Sequence, residues 1–231
     1  MTGTDGQAGG TGAGPAPDPA GDGHARVRRS YDTVAEEYRA RIGDELAGKP
    51  LDRALLGALV EETADGAVIA DLGCGPGHIA AWLAGRQRRV VGVDLSPAMV
   101  AIGRDRHPQA EFREGDLLRL PAGDAEFDAA VALYSLIHLD PGELSPALAE
   151  IRRVLRPGAP LLVAFHIGTE VRNLTEWWGH AVDVDFHHLR PDAVAGALRE
   201  AGFRIEAELE RAPYPHEAAT RRAYLLARRE D

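Results

Sequence analysis

Asp71-Leu-Gly-Cys-Gly-Pro-Gly77 follows an apolar run, Ala67-Val-Ile-Ala70, and precedes an apolar helical pattern, Ile79-Ala-Ala-Trp-Leu83. That succession is a buried strand, a tight glycine loop and the start of a helix. Glycine lets a backbone turn this sharply and come close to a ligand. A small molecule lying across Gly73, Gly75 and Gly77 would meet little but main chain. A strand-to-helix turn without a ligand is the plain alternative. The spacing narrows the ligand. A dinucleotide fingerprint, G-x-G-x-x-G, counted from Gly73, needs glycine at position 78, where the chain has His78. Here the glycines fall at every second position and a carboxylate, Asp71, ends the strand, which argues against NAD.

Two further acids follow. Arg89-Val-Val-Gly-Val-Asp94 reads as the next buried strand, with Asp94 at its carboxyl end, where a carboxylate accepts both hydroxyls of a ribose. Ala110-Glu-Phe-Arg-Glu-Gly-Asp116 reads as a third strand ending in Gly-Asp, and a carboxylate there accepts a hydrogen bond from an adenine amino group. Each acid alone also reads as a helix N-cap or a solvated turn residue. Three acids at consecutive strand ends form a nucleoside-binding constellation.

With these motifs, and with Val93-Asp94-Leu-Ser-Pro-Ala-Met99, Phe127-Asp-Ala-Ala-Val131 and Leu155-Arg-Pro-Gly158 after them in order, the chain resembles the class I S-adenosylmethionine-dependent methyltransferases, of the small-molecule type common in bacteria, over about residues 30–231. The resemblance implies a Rossmann-like α/β fold: a seven-stranded, mostly parallel sheet with helices on both faces, the last strand antiparallel, and an N-terminal helical lid. It implies S-adenosylmethionine as cofactor and S-adenosylhomocysteine as product. Asp71, Gly73, Cys74, Gly75 and Gly77 would cradle the methionine part, and Asp94 would hold the ribose. Leu95 and Met99 would flank the adenine, with Gly115, Asp116 and Leu117 near its amino group. Tyr134, after the fourth strand, would border the cofactor. Tyr31 and Tyr38, on the lid helix, would close on the methionine end.

The chain has 231 residues, 45% of them hydrophobic, enough for one well-packed domain. A net charge of -10 leaves no basic footprint for nucleic acid, and the arginine pairs are scattered. The single cysteine, Cys74, excludes an internal disulfide and fits a reducing, cytoplasmic compartment. No apolar run reaches the roughly 18 residues of a membrane span. The many arginines beside one lysine, Lys49, hint at a GC-rich bacterial genome. The expected partner is a small-molecule methyl acceptor, the expected assembly a monomer or homodimer.

Residues 1–25 are rich in Gly, Ala and Pro, with neither a basic start nor an apolar core, and read as a disordered tail rather than a signal peptide. The methyltransferase domain is expected over residues 26–231, with lid helices over 26–62. Tyr31, Val34, Ala35 and Tyr38 share one helical face, with Ser30 or Asp32 as a cap. Beyond the lid, strands are expected at 67–71, 90–94, 111–114, 127–133, 160–166, 203–209 and 223–227. Helices are expected at 51–60, 97–106, 144–155 and 191–201.

Residues 168–190 read as an acceptor-site insertion, a loop long enough to be functional, with Trp177, Trp178 and His187 as substrate contacts. Its His and Asp density invites a metal. Yet Val182, Val184 and Phe186 alternate with Asp183 and Asp185, as in a half-buried strand, so no metal is expected. Methyl transfer is an in-line displacement that requires the acceptor's lone pair to be free. A hydroxyl or protonated amine therefore needs a base, and histidine is the natural one near neutral pH. His138 is the first candidate and His166 the second. O- or N-methylation of a metabolite or natural-product intermediate is the leading expectation. C-methylation of a quinone-like ring, N-methylation of a peptide, and a non-catalytic cofactor-binding partner protein are the alternatives.

Overall fold

A strand covered on both faces reads as a nearly continuous apolar run, and β1 (Val68–Leu72) is such a strand, buried from Ile69 onward and broken only by Asp71. The computed structural model describes residues 19–231, with side chains from Gly23 onward. The strands after β1 are β2 (Arg89–Asp94), β3 (Glu111–Glu114), β4 (Ala129–Leu133), β5 (Pro160–His166), β6 (Val171–Trp177), β7 (His180–His187), β8 (Phe203–Arg211) and β9 (Arg222–Arg229). Seven form one sheet in the order β3-β2-β1-β4-β5-β9-β8, and β6 pairs with β7 as a separate hairpin. β9 runs antiparallel to both β5 and β8. The strand order reverses between β1, which pairs with β2, and β4, so the crevice outside the carboxyl ends of these strands is where the fold places a ligand.

The helices are α1 (Pro19–Ile42), α2 (Pro50–Glu61), α3 (His78–Ala84), α4 (Pro97–Arg106), α5 (Leu144–Val154) and α6 (Pro191–Glu200). Leu148, Ile151, Val194 and Leu198 of α5 and α6 meet Phe165 and Phe203 on one face of the sheet. Leu56, Leu59 and Leu83 of α2 and α3 meet Ile69, Val131 and Tyr224 on the other. Burying each such side chain stabilises the fold by about 1.5–3 kcal/mol.

The Rossmann-like sheet with helices on both faces and an antiparallel last strand is as expected, with differences at the edges. Residues 1–18 of the expected tail lie outside the described residues, and α1 starts at Pro19, ahead of Arg26. Ser30 and Asp32 do not cap α1. The Ser30 hydroxyl donates to the Asp183 carbonyl and accepts from the Asp183 amide, both at 2.9 Å, tying α1 to β7. Asp32 Oδ1 accepts from the Ser96 hydroxyl at 2.5 Å and the Ala98 amide at 3.2 Å, so it reinforces the N-cap that Ser96 gives α4. Of the expected lid helices, α2 instead covers the sheet, with Leu56 and Leu59 fully buried. Residues 168–190 are not one loop but are built around the β6–β7 hairpin, against which α1 packs.

Candidate cofactor and acceptor site

All three motif glycines have positive φ, +76° at Gly73, +53° at Gly75 and +88° at Gly77, but each does something different. A Cβ on Gly73 would lie 2.2 Å from Ser135 Cβ, so glycine lets the loop pass the chain after β4. A Cβ on Gly77 would lie 2.6 Å from the Phe112 ring, so Gly77 seats α3 against the sheet and does not line the cleft. Gly75 is the open one, with only Tyr38 Cε1 within 4 Å, at 3.9 Å. Cys74 lines the cleft with its thiol buried, and burial pushes the thiol well above its ordinary pKa.

Asp94 is clamped by the loops it joins. Its Oδ2 accepts the Gly75 amide and its Oδ1 the Ser96 amide, each at 2.8 Å. Burial pushes its carboxyl up to about 6. Each oxygen keeps a lone pair for a ribose hydroxyl. Asp71 is 1% exposed, lies beneath the glycine loop rather than in the cleft wall, and its Oδ2 has no partner. Burial pushes it up to about 7. Met99 is a further correction: it is fully buried against Ala35 and Ile102 under Tyr31 and Tyr38, and supports the lid instead of flanking a ligand. Leu95, Gly115, Asp116 and Leu117 do line the cleft. Asp116 Oδ1 accepts the Leu118 amide at 2.8 Å, and Oδ2 meets His24 Nδ1 at 2.5 Å.

The cleft is about 990 Å³ including its mouth, and α1 closes it with Tyr31 and Tyr38. The Tyr31 hydroxyl lies 2.8 Å from His138 Nε2, and His138 Nδ1 lies 3.0 Å from the Asp185 carbonyl on β7. A carbonyl only accepts, so Nδ1 carries the proton and Nε2 presents its lone pair to Tyr31. Burial lowers the His138 pKa to about 4, which keeps the ring neutral. His166 is placed elsewhere: it does not line the cleft, its Nδ1 meets the Thr220 hydroxyl at 2.8 Å, and burial first, then Arg222, lowers it to about 4. Trp177 and Trp178 back the tyrosines from the hairpin, with Trp177 5.5 Å from Tyr31 and 5.6 Å from Tyr38 between ring centres. His187 reaches Asp140 at 3.6 Å. None of these three lines the cleft. Tyr134 does, held at φ +60° with its hydroxyl 3.0 Å from that of Tyr224.

Among the lining residues outside the sequence expectation are His24, Glu45, His78 and Ser135. His24 fell in the stretch read as tail. His78 was visible as the residue in the dinucleotide glycine position, but its contact with Glu45, 3.2 Å from Nε2 to Oε1, joins distant segments that no local pattern links. Among the described residues no group of three or more His, Cys, Asp or Glu is arranged to hold a metal, and no helix is long and apolar enough to cross a membrane.

The cleft residues fit a nucleoside carrying an amino-acid tail: an open glycine cradle, an acid clamped for the ribose, and a further acid, Asp116, in the cleft wall. Residues 69–158 match a family model described as a methyltransferase domain. The chain is 40% identical to an O-methyltransferase, cnsE, of Penicillium expansum over 150 residues, 62% of this chain and 54% of that protein. It is 35% identical to a demethylmenaquinone methyltransferase of Beutenbergia cavernae over 140 residues, 60% of this chain and 57% of that protein. The chain thus spans little more than half the length of these curated relatives. The crystal structure of Burkholderia thailandensis 1,6-didemethyltoxoflavin-N1-methyltransferase, with S-adenosylhomocysteine bound, superposes with a TM-score of 0.72 at 22% identity over 95% of this chain and 94% of that one, a likeness of fold. By its motifs, its sheet order and these matches, the chain carries a methyltransferase domain over residues 69–158 and has the fold of the class I S-adenosylmethionine-dependent methyltransferases, which it resembles.

Proposed function

We propose that this protein transfers a methyl group from S-adenosylmethionine to a hydroxyl oxygen or a nitrogen of a small molecule, with His138 as the base. The observation that carries this reading is the hydrogen-bonded Tyr31–His138 pair in the cleft wall, with the imidazole tautomer fixed by the Asp185 carbonyl. The bound cofactor supplies a methyl group on a sulfonium, an electrophile that needs no further activation. Asp94 and the Gly73–Gly75 backbone orient the nucleoside and methionine parts, and Asp116 takes the adenine amino group. Tyr31, Tyr38 and the hairpin tryptophans exclude water from the methyl. As the acceptor oxygen or nitrogen forms its bond to the methyl carbon, its proton passes to His138 Nε2, directly or by Tyr31 taking it while giving up its own. Nδ1 keeps its proton on the Asp185 carbonyl throughout. The low basicity of the buried ring is no obstacle, because the acceptor becomes strongly acidic as the new bond forms. The reaction also removes the sulfonium charge as the imidazolium appears, so the site carries one positive charge before and after.

A product assay over phenols, alcohols, amines and carboxylic acids tests this reading. His138→Gln and Tyr31→Phe should lower kcat for hydroxyl or amine acceptors by about 10²–10⁴-fold, the usual range for a general base, and affect S-adenosylhomocysteine affinity much less. Turnover of a carboxylate, unaffected by His138→Gln, would remove the base from the mechanism. Ring-carbon products would favour C-methylation of a quinone-like ring instead.

A further inference from the structure

We propose that His24 is a cofactor-retaining residue, latching the start of the lid helix α1 over the adenine end of the cleft through Asp116 and Glu143. The inference rests on the adenine reading of Asp116. His24 Nδ1 lies 2.5 Å from Asp116 Oδ2 and Nε2 lies 3.1 Å from Glu143 Oε2, with the imidazole 16% exposed. Both partners are carboxylates, which only accept, so the ring satisfies both only when each nitrogen carries a proton. The two acids belong to different parts of the fold. Asp116 follows β3, and Glu143 precedes α5, where its Oε2 also accepts the Asp140 amide at 2.9 Å. One side chain of α1 therefore bridges both walls of the crevice.

The latch leaves the ligand's place open. A carboxylate offers about four acceptor positions, and Asp116 spends one on the Leu118 amide and one on His24. An amino group on a purine can take another, beneath the His24 ring. The charged groups around the latch are mostly acidic. Asp140, paired with His187, lies near Gly23, and Arg28 on the same helix is occupied by Glu114 at 3.0 Å. A neutral His24 would face Asp116 and Glu143 with one donor too few. Those two carboxylates raise His24 to about 9, with the Asp116 hydrogen bond the largest cause, so the bridge persists at neutral pH. It is fully formed below the ordinary histidine value of 6.5 and is lost as pH rises through about 9.

The test is S-adenosylhomocysteine binding to the full chain, by calorimetry and by stopped-flow release, for wild type, His24→Ala and Asp116→Asn at pH 7.5 and 10. His24→Ala should weaken binding about ten-fold at pH 7.5, the effect of a lost charge-assisted hydrogen bond, mainly through faster release, with the melting temperature nearly unchanged. Wild-type affinity should fall more steeply between the two pH values than that of His24→Ala, because titration of the ligand's own amino group is common to both. Unchanged or tighter binding by His24→Ala, or the same pH dependence in both proteins, overturns the latch. If Asp116→Asn alone loses affinity, the adenine reading stands and the latch falls. If neither loses affinity, both fall.

Discussion

At Asp94 and Asp71 the site keeps two carboxylates that the empty fold disfavours. Their raised values, about 6 and about 7, mean that the folded chain holds protons which the unfolded chain releases near 3.8. Both residues therefore subtract from stability as pH rises through that window. Asp71→Asn at pH 8 removes a buried charge with an unpartnered oxygen. It should raise the melting temperature of the ligand-free protein by about 2–4 °C, or roughly 1 kcal/mol for a domain of this size, while weakening cofactor binding. Scanning calorimetry with and without S-adenosylhomocysteine separates the two effects. Asp94→Ala should cost about 1.5–3 kcal/mol of cofactor affinity, as expected for charge-assisted hydrogen bonds, and wild-type affinity should fall as pH drops through about 6, where Asp94 takes up a proton. An unchanged calorimetric dissociation constant in Asp94→Ala would remove its role on the ribose. These acids were legible because strand ends in an α/β sheet are ligand positions. Met99 and Gly77 were not, because their motif positions say nothing of whether a side chain or a missing Cβ faces the cleft or the packing behind it.

The elements central to the sheet announced themselves by continuous apolar runs. The lid helix showed only from Tyr31 to Tyr38 and the hairpin only in the alternation of β7, while the start of α1 and all of β6 did not show. β6 is exposed or half-exposed along its whole length, so its sequence shows no alternation. α1 opens through Gly21 and Gly23, poor helix formers, and its contacts with β7 and α4 override that local preference. Ser30 and Asp32 carry cap chemistry, yet they use it on neighbouring elements instead of their own helix. Ser30→Ala should therefore act between elements. Leaving the Asp183 amide and carbonyl without that hydroxyl should cost about 1–2 kcal/mol and raise KM for the acceptor more than for S-adenosylmethionine. Denaturant unfolding and steady-state kinetics read these two effects.

Across the whole molecule, a buried polar network ties α2 to the last two strands and to the cleft. Asp52 accepts from the Tyr224 hydroxyl at 3.0 Å and from Arg211 at 3.2 Å, Arg211 also holds Glu217, and Tyr224 meets Tyr134. Asp52→Ala would take one of two carboxylates from the Arg211 guanidinium, 9% exposed, while Glu217 still balances its charge, at a cost of about 1.5–3 kcal/mol, that of a hydrogen bond to a charged group. Despite the burial that opposes it, the Arg211 hydrogen bond holds Glu217 down at about 2, so its stabilisation is present above the ordinary value of 4.5 and is lost as pH falls toward 2. Unfolding at pH 7 and pH 3 should show the loss in wild type and a smaller one in Glu217→Gln. Residues 211, 217 and 224 are neighbours on the β8–β9 hairpin, but residue 52 is far from them in sequence, and only the fold brings it to them. That order has a consequence for synthesis. β8 joins the sheet only through β9, which lies between it and β5. As the chain leaves the ribosome, β8 emerges with no strand to pair with, and the edge of β5 stays bare until the final strand arrives. A nascent chain stalled after residue 220 should therefore be held by chaperones or aggregate, and the emergence of β9 should be the event that closes the sheet.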